Sequence, residues 1–99
     1  MKIKEKSLKT VIRDESIEKD GCSYRYKLLM SKSHKVASYL IPLYSIEIEM
    51  KDSRGQITEC SVENVFSDIG KAVVFYERMI NNLATPIDLP YIVEDEIYR

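Results

Sequence analysis

The residues best suited to chemistry in this chain are one histidine and two cysteines, and no motif brings them together. His34 lies in a run of serines and lysines, apart from both Cys22 and Cys60. Nucleophilic catalysis needs a serine or cysteine beside a base, and structural zinc usually takes four cysteine or histidine ligands. The sequence has no nucleophile elbow, phosphate-binding glycine loop or dinucleotide motif. We therefore predict no catalytic residue, no cofactor and no metal site, and we predict that the chain is not an enzyme.

Carboxylates occur in three groups that could be taken for acid–base pairs. Glu47 with Glu49, and Glu59 with Glu63, fit the solvent-facing side of a strand, which explains them without chemistry. The third group, Glu94-Asp95-Glu96, lies near the end of a predicted helix. It is either a solvated helix face or a docking patch for a basic surface.

Two tyrosines alternate with two cations in Tyr24-Arg25-Tyr26-Lys27, a composition found on sheets that bind nucleic acid. Alternation along a strand places the tyrosines and the cations on opposite faces, so they cannot act together on one nucleic-acid strand. The pI of about 5.8 is also unlike the basic footprint of nucleic-acid-binding domains. We predict that these tyrosines face the core.

The charges are divided unevenly along the chain. Residues 1–35 contain ten Lys/Arg and five Asp/Glu, a net charge of +5, whereas residues 36–99 contain five and eleven, a net charge of −6. The favoured interpretation is that the two halves complement each other within one fold or between two copies; the alternative is an electrostatic partner surface. The candidate partner patch consists of Lys2, Lys4, Lys6, Lys9, Glu94, Asp95 and Glu96.

The length and hydropathy of the chain favour a soluble protein with one domain, residues 1–99. The longest apolar stretch, residues 39–44, is far shorter than the ~20 residues of a membrane-spanning helix. No apolar segment follows the basic N-terminus, so a secretory signal is not expected. We predict a cytoplasmic location and no membrane partner.

In its first third, the sequence predicts two strands. Residues 2–13 have the lysine-rich pattern of an exposed edge strand. Residues 14–21 are polar and end in Asp20-Gly21, so we predict a loop or turn there. Residues 22–31 alternate as a half-buried strand, and residues 31–35 are predicted to be a polar connection.

The clearest local signal is a hairpin within residues 39–66. Apolar residues alternate with polar ones up to Met50, and Asp52-Ser53-Arg54-Gly55 is suited to a type I turn with glycine in the left-handed position. Matching the apolar faces places Ile48 opposite Cys60, and this register places Glu49 opposite Glu59. Pro42 predicts an edge position, a bulge or a strand start, because proline cannot donate a ladder bond.

Two helices complete the predicted fold. The first spans about residues 68–83, is capped by Ser67 or Asp68, and has an apolar stripe of Ile69, Ala72, Val73, Tyr76, Met79, Ile80 and Leu83. The second begins at Asp88-Leu89-Pro90, with proline in the first turn. We predict an α+β fold: a mainly antiparallel four-stranded sheet, one face covered by the first helix, with the second helix at its edge.

Three segments carry a resemblance to a known family. Residues 39–48, residues 66–72 and the sequence Leu89-Pro90-Tyr91-Ile92-Val93-Glu94-Asp95 resemble a family of short, uncharacterised bacterial proteins. The resemblance covers about the last sixty residues. It implies a domain of unknown function and supplies no catalytic residues.

The sequence leads to three functional hypotheses. The preferred one is a small non-enzymatic protein-interaction or regulatory module, with a protein partner or a second copy in a homodimer, because the fold pattern is complete and carries no catalytic motif. The second is a nucleic-acid-binding protein that uses the basic N-terminal strand. The third is a small ligand-binding protein or enzyme that uses tyrosine and carboxylate side chains.

Overall fold

The computed structural model describes residues 9–36 and 39–98. Four strands form one antiparallel sheet in the order β1-β2-β3-β4, and two helices follow them. The elements are β1 (Lys9–Lys19), β2 (Cys22–Val36), β3 (Tyr39–Lys51), β4 (Ile57–Phe66), α1 (Ile69–Asn81) and α2 (Leu89–Ile97). The predicted α+β fold is therefore confirmed. No helix within the described ranges is long and apolar enough to cross a bilayer.

The two outer hairpins have the turns that their sequences predict. Asp20 and Gly21 both have positive φ values, 53° and 81°, as the type I′ turn of a two-residue hairpin requires. In the second hairpin, the Asp52 carboxylate accepts hydrogen bonds from the backbone N–H groups of Arg54 and Gln56, both at 2.9 Å. The predicted register of β3 and β4 is confirmed, with Ile48 opposite Cys60 and Glu49 opposite Glu59.

The prediction of a polar loop over residues 14–19 is wrong, because β1 continues to Lys19. Its inward-facing polar side chains are paired: the Arg13 guanidinium lies 3.1 Å from the Glu15 carboxylate and 3.2 Å from that of Glu77 on α1. These ion pairs lie beside the apolar contacts that Ile12 and Ile17 of β1 make with the core. The part of the predicted first strand that precedes Lys9 lies outside the described residues.

The prediction of a polar connection over residues 31–35 is also wrong, because β2 reaches Val36. The first part of β3 pairs with this segment, with His34 opposite Ile41 and Val36 opposite Tyr39. Pro42 lies at a register shift in this ladder, as one of its predicted positions requires. The β3–β4 ladder ends at Tyr44, so no β4 residue lies opposite Pro42. The N–H that proline lacks is therefore not needed for pairing with β4.

Helix α1 covers the inner face of the sheet, but its buried stripe is rotated from the predicted one. Asp68 caps it by accepting the Gly70 N–H at 2.7 Å. Phe75, which the prediction missed, is buried, whereas Ile69, which the prediction included, is 47% exposed. The core contains Tyr26, Leu28, Tyr44, Ile46, Ile48, Phe66, Ala72, Phe75, Tyr76, Met79, Ala84, Leu89 and Val93.

Two buried tyrosines connect the sheet to the helices. The Tyr76 hydroxyl donates to the backbone carbonyl of Tyr26 at 2.9 Å, and the Tyr26 hydroxyl donates to the carbonyl of Ala84 at 2.7 Å. Ala84 follows α1, and its N–H closes the helix end by donating to the Met79 carbonyl. Helix α2 then lies against the edge strand β4, as predicted, with Leu89 and Val93 buried.

Candidate functional site

An open cleft lies between the two helices. Its volume is about 260 Å³, and its floor is formed by Phe75 and Met79 of α1, Ala84 of the connection and Ile92 of α2. The floor exists because α1 turns Phe75 and Met79 toward α2 while Leu89 and Val93 anchor α2 beneath them in the core. The cleft is therefore an apolar depression in the surface, held by two packed helices.

The rim of the cleft is predominantly acidic. It carries Arg78, Asp88, Asp95 and Glu96. Arg78 donates to the Glu96 carboxylate at 2.7 Å, and the Asp88 carboxylate accepts the Thr85 hydroxyl at 2.9 Å. The Asp95 side chain has no hydrogen-bond or ion-pair partner among the described residues. Considering the described residues alone, the rim thus holds one carboxylate, that of Asp95, that could meet a cation from a partner.

The outward side of α2 continues this surface. Tyr91, Glu94, Asp95 and Tyr98 follow the i, i+3, i+4, i+7 spacing of one helix face. The two tyrosines are 69% and 79% exposed, and the side chains of all four residues are without a hydrogen-bond or ion-pair partner in the described structure. We call these four residues the α2 face. Exposed aromatic rings such as these two are enriched at protein-binding surfaces.

The structure divides the predicted partner patch. Glu94 and Asp95 lie together on the α2 face, whereas Glu96 turns toward α1 and pairs with Arg78. Lys9 is 2.6 Å from Glu63, and this pair joins the two edge strands β1 and β4. Lys2, Lys4 and Lys6 lie outside the described residues. Lys9–Glu63 and Arg13–Glu77 each join a cation of the basic half to a carboxylate of the acidic half.

The outer face of the sheet is charged. Arg25 holds the Asp14 carboxylate through two hydrogen bonds of 3.0 and 2.8 Å, and this contact lowers the pKa of Asp14. Glu47, Glu49 and Glu59 line a shallow groove of about 240 Å³ on the same face. Glu49 and Glu59 are directly opposite each other, as the sequence predicted. This face is therefore basic on β2 and acidic on β3 and β4.

The inner polar groups have structural roles. Burial raises the pKa of Tyr26 from 10.0 to about 12, and burial together with the nearby Glu15 carboxylate raises the pKa of Tyr76. The Arg13 guanidinium lies 5.2 Å from the centre of the Tyr76 ring and donates to Glu77 and Glu15, which raises its own pKa. These hydroxyls and charges are engaged with one another, so they hold the helix to the sheet.

The candidate chemical residues remain separate. Cys22 and Cys60 are free and half-buried at different strands, and the backbone of His34 lies in β2 rather than in the expected loop. Within residues 9–36 and 39–98, no group of three His, Cys, Asp or Glu side chains is arranged to hold a metal ion.

The partner patch predicted from the sequence includes Glu94 and Asp95 but not the tyrosines that lie beside them on the α2 face. The signal was available, because Tyr91 and Tyr98 are seven residues apart, two helical turns, with Glu94 and Asp95 between them. No sequence pattern could predict the helix–helix cleft, because it depends on how α1 and α2 are placed relative to each other.

Comparison with known proteins identifies a family but no characterised relative. The family model DUF6514, a family of unknown function, matches residues 5–98. No curated protein matches the chain. No solved structure matches it either.

Proposed function

The chain belongs to the DUF6514 family, whose function is unknown, and we propose that it is a small non-enzymatic protein-interaction or regulatory module. The observation that carries this proposal is the combination of the helix–helix cleft with the unpaired α2 face. Asp95 lines the cleft, and Tyr91, Glu94 and Tyr98 extend along the adjoining helix face. The side chains of all four form no hydrogen bond or ion pair among the described residues.

The size of the cleft supports a protein partner over a small molecule. Pockets that enclose drug-sized ligands have volumes of roughly 300–1,000 Å³. The cleft, at about 260 Å³, is smaller than this and open. It suits an apolar side chain projecting from another protein, and the exposed tyrosines supply the aromatic contact area that is enriched at interfaces.

The charges of the rim define the chemistry of the partner. Asp95 and Glu94 are unpaired, and Arg78 is already neutralised by Glu96. A partner that places an aliphatic or aromatic side chain on Phe75 and Met79 would gain an ion pair if a lysine or arginine followed it. We therefore propose a partner segment in which an apolar anchor is flanked by basic residues.

The proposal is tested by capturing binding proteins from native lysate at low salt with matched baits. The first bait is the unaltered chain, and the second is the double variant Tyr91→Ala, Asp95→Lys. The control is Val74→Ala, Glu18→Lys, which removes an exposed apolar side chain and reverses one charge away from the cleft. A retained protein should be purified, and its affinity for each bait measured.

We expect the control to bind like the unaltered chain and the cleft variant to bind at least about tenfold more weakly, the loss of one interface hot spot. Equal binding to all three baits would contradict the proposed surface. Retention of nucleic acid that salt releases would favour the basic N-terminal strand instead, because phosphate contacts are lost as salt rises.

Three further expectations form part of this proposal. A cytoplasmic location and a bacterial origin follow from the sequence pattern and the resemblance described above. A second copy of the chain is an alternative partner. Sedimentation of the unaltered chain and, separately, of the cleft variant tests this alternative, because a homodimer formed through the cleft would dissociate in the variant.

A further inference from the structure

The β4 edge of the sheet offers a second, different surface. Among the described residues, β4 pairs with β3 and with no other strand. The Asp52 N–H donates to the Gln56 carbonyl at the start of the ladder. Hydrogen-bonded pairs alternate in an antiparallel ladder, so Thr58, Cys60 and Val62 bond to β3. The N–H and C=O groups of Ile57, Glu59 and Ser61 therefore point away from the sheet.

The β1 edge differs from the β4 edge in its protection. β1 has a register shift between Val11 and Arg13, and its remaining length carries charges of both signs. Bulges and mixed charges are the devices by which natural sheets prevent pairing with another chain. Residues 57–62 of β4 have no bulge, no lysine and no proline, and Ile57 is 54% exposed. Helix α2 contacts β4, but Ile57, Glu59 and Ser61 are exposed, so this part of the β4 edge is less protected than the β1 edge.

The charges beside this edge select a basic partner. Across the outer face, Arg25 lies opposite Glu49, and Glu49 lies opposite Glu59. Arg25 is committed to Asp14, and Glu59 forms no ion pair within the described part of the chain. A like-charge pair on adjacent strands is destabilising. A cation on a fifth strand, directly opposite Glu59, would form a favourable cross-strand ion pair with the Glu59 carboxylate.

We propose that the β4 edge binds an extended segment of another protein in which lysine or arginine alternates with apolar residues. The basic side chains of this segment face Glu59 and Glu49 on the outer side of the sheet, and its apolar side chains continue the inner side beyond Cys60 and Val62. The inference extends the proposal that this chain binds protein, but it uses a surface separate from the helix–helix cleft.

A second copy is a poorer occupant of this edge. Two antiparallel β4 strands would place Glu59 and Glu63 of one chain beside the same acidic strand of the other, which adds like-charge pairs. The lysines and arginines of the described residues lie outside residues 57–62. Charge complementarity therefore disfavours the pairing of two β4 edges with each other.

The test uses a synthetic peptide of about ten residues in which lysine alternates with valine and threonine, matched to the length of a strand. Binding is followed by fluorescence anisotropy against three forms of the full chain. Ser61→Pro removes an outward N–H from the β4 edge without removing a bond to β3. Ser16→Pro is the matched control, because the Lys19–Cys22 pair closes a two-residue hairpin and the Ser16 N–H points away from β2.

We expect the Ser61→Pro variant to bind the peptide about tenfold or more weakly, and the Ser16→Pro variant to bind it like the unaltered chain. A second variant, Glu59→Lys, should also weaken binding and should lower its dependence on salt. It leaves the backbone of β4 intact, so it provides the test if Ser61→Pro does not fold.

Three results would overturn the inference. The first is no binding of the peptide to the unaltered chain at about 1 mM, the weak limit of specific association. The second is equal loss of binding in Ser61→Pro and Ser16→Pro. The third is a homodimer of the unaltered chain that Ser61→Pro dissociates, which would assign the edge to a second copy. Failure of the cleft variant to affect lysate capture leaves these outcomes unchanged, so the two proposals fail independently.

Discussion

Tyrosine serves two purposes in this molecule, and they are separated in space. Tyr26 and Tyr76 are fully buried, and each hydroxyl donates to a backbone carbonyl of a different element. Tyr91 and Tyr98 are mostly exposed, and their hydroxyls have no partner in the described structure. The fold explains the first pair completely. It gives no reason for the second pair, which is why the α2 face is the better place to seek function.

The largest expected difference between the two pairs is in stability. Tyr76→Ala should lower the free energy of unfolding by about 3–5 kcal/mol, because it leaves a cavity beneath α1. Tyr91→Ala should change it by no more than about 0.5 kcal/mol, since its side chain is exposed. Urea denaturation of both variants measures the contrast. Similar losses in the two variants would remove the distinction between core and surface tyrosines.

A smaller effect should follow from removing only the hydroxyl. Tyr26→Phe leaves the buried Ala84 carbonyl without its donor and should cost about 1–3 kcal/mol. Tyr98→Phe, the matched surface control, should leave the denaturation midpoint unchanged. A Tyr26→Phe protein as stable as the unaltered chain would show that the Tyr26–Ala84 hydrogen bond does not hold the end of α1.

The same hydroxyl predicts a response to alkaline pH. Burial raises the pKa of Tyr26 from 10.0 to about 12, so the folded chain holds this proton more tightly than the unfolded chain. Its contribution is complete below pH 10 and is lost as the pH rises toward 12. The thermal unfolding temperature should therefore fall as the pH rises over this interval. The Tyr26→Phe variant should show a smaller fall with pH. An unchanged slope in that variant would assign the alkaline response to other groups.

The smallest expected effect on stability is at the β4 edge, where the Glu59 carboxylate forms no ion pair among the described residues. Glu59→Gln removes the like-charge pair with Glu49 and should stabilise the chain by about 0.2–1 kcal/mol. Glu18→Gln, on exposed β1, is the control and should have little effect. Destabilisation by Glu59→Gln would mean that its charge is compensated within the fold.

Much of this fold could be predicted from local patterns. The β3–β4 register followed from matching apolar faces, the N-cap of α1 followed from Asp68, and the start of α2 followed from Pro90 in its first turn. These features depend on residues close in sequence or on a single turn. The acidic end of α2 is equally visible in the sequence, and the partner role assigned there to Glu94, Asp95 and Glu96 stays a prediction.

The misses came from contacts between distant residues. Residues 14–19 of β1 appeared too polar to be part of a strand, because the sequence does not show that Arg13 pairs with both Glu15 and Glu77 of α1. The helix stripe was placed too far toward Ile69, since the burial of Phe75 depends on the neighbouring Phe66 ring, 5.2 Å away. The cleft could not be predicted at all, because it is formed by two helices whose relative placement no local pattern specifies.

The most direct test of the account is amide hydrogen exchange of the full chain, alone and saturated with the purified protein that the lysate capture yields. Binding at the helix–helix cleft predicts slower exchange in peptides that cover residues 75–98. It also predicts unchanged exchange in peptides that cover residues 9–25. Protection confined to β1, or no change in α2, would contradict the assignment of the α2 face and the cleft as the partner-binding surface.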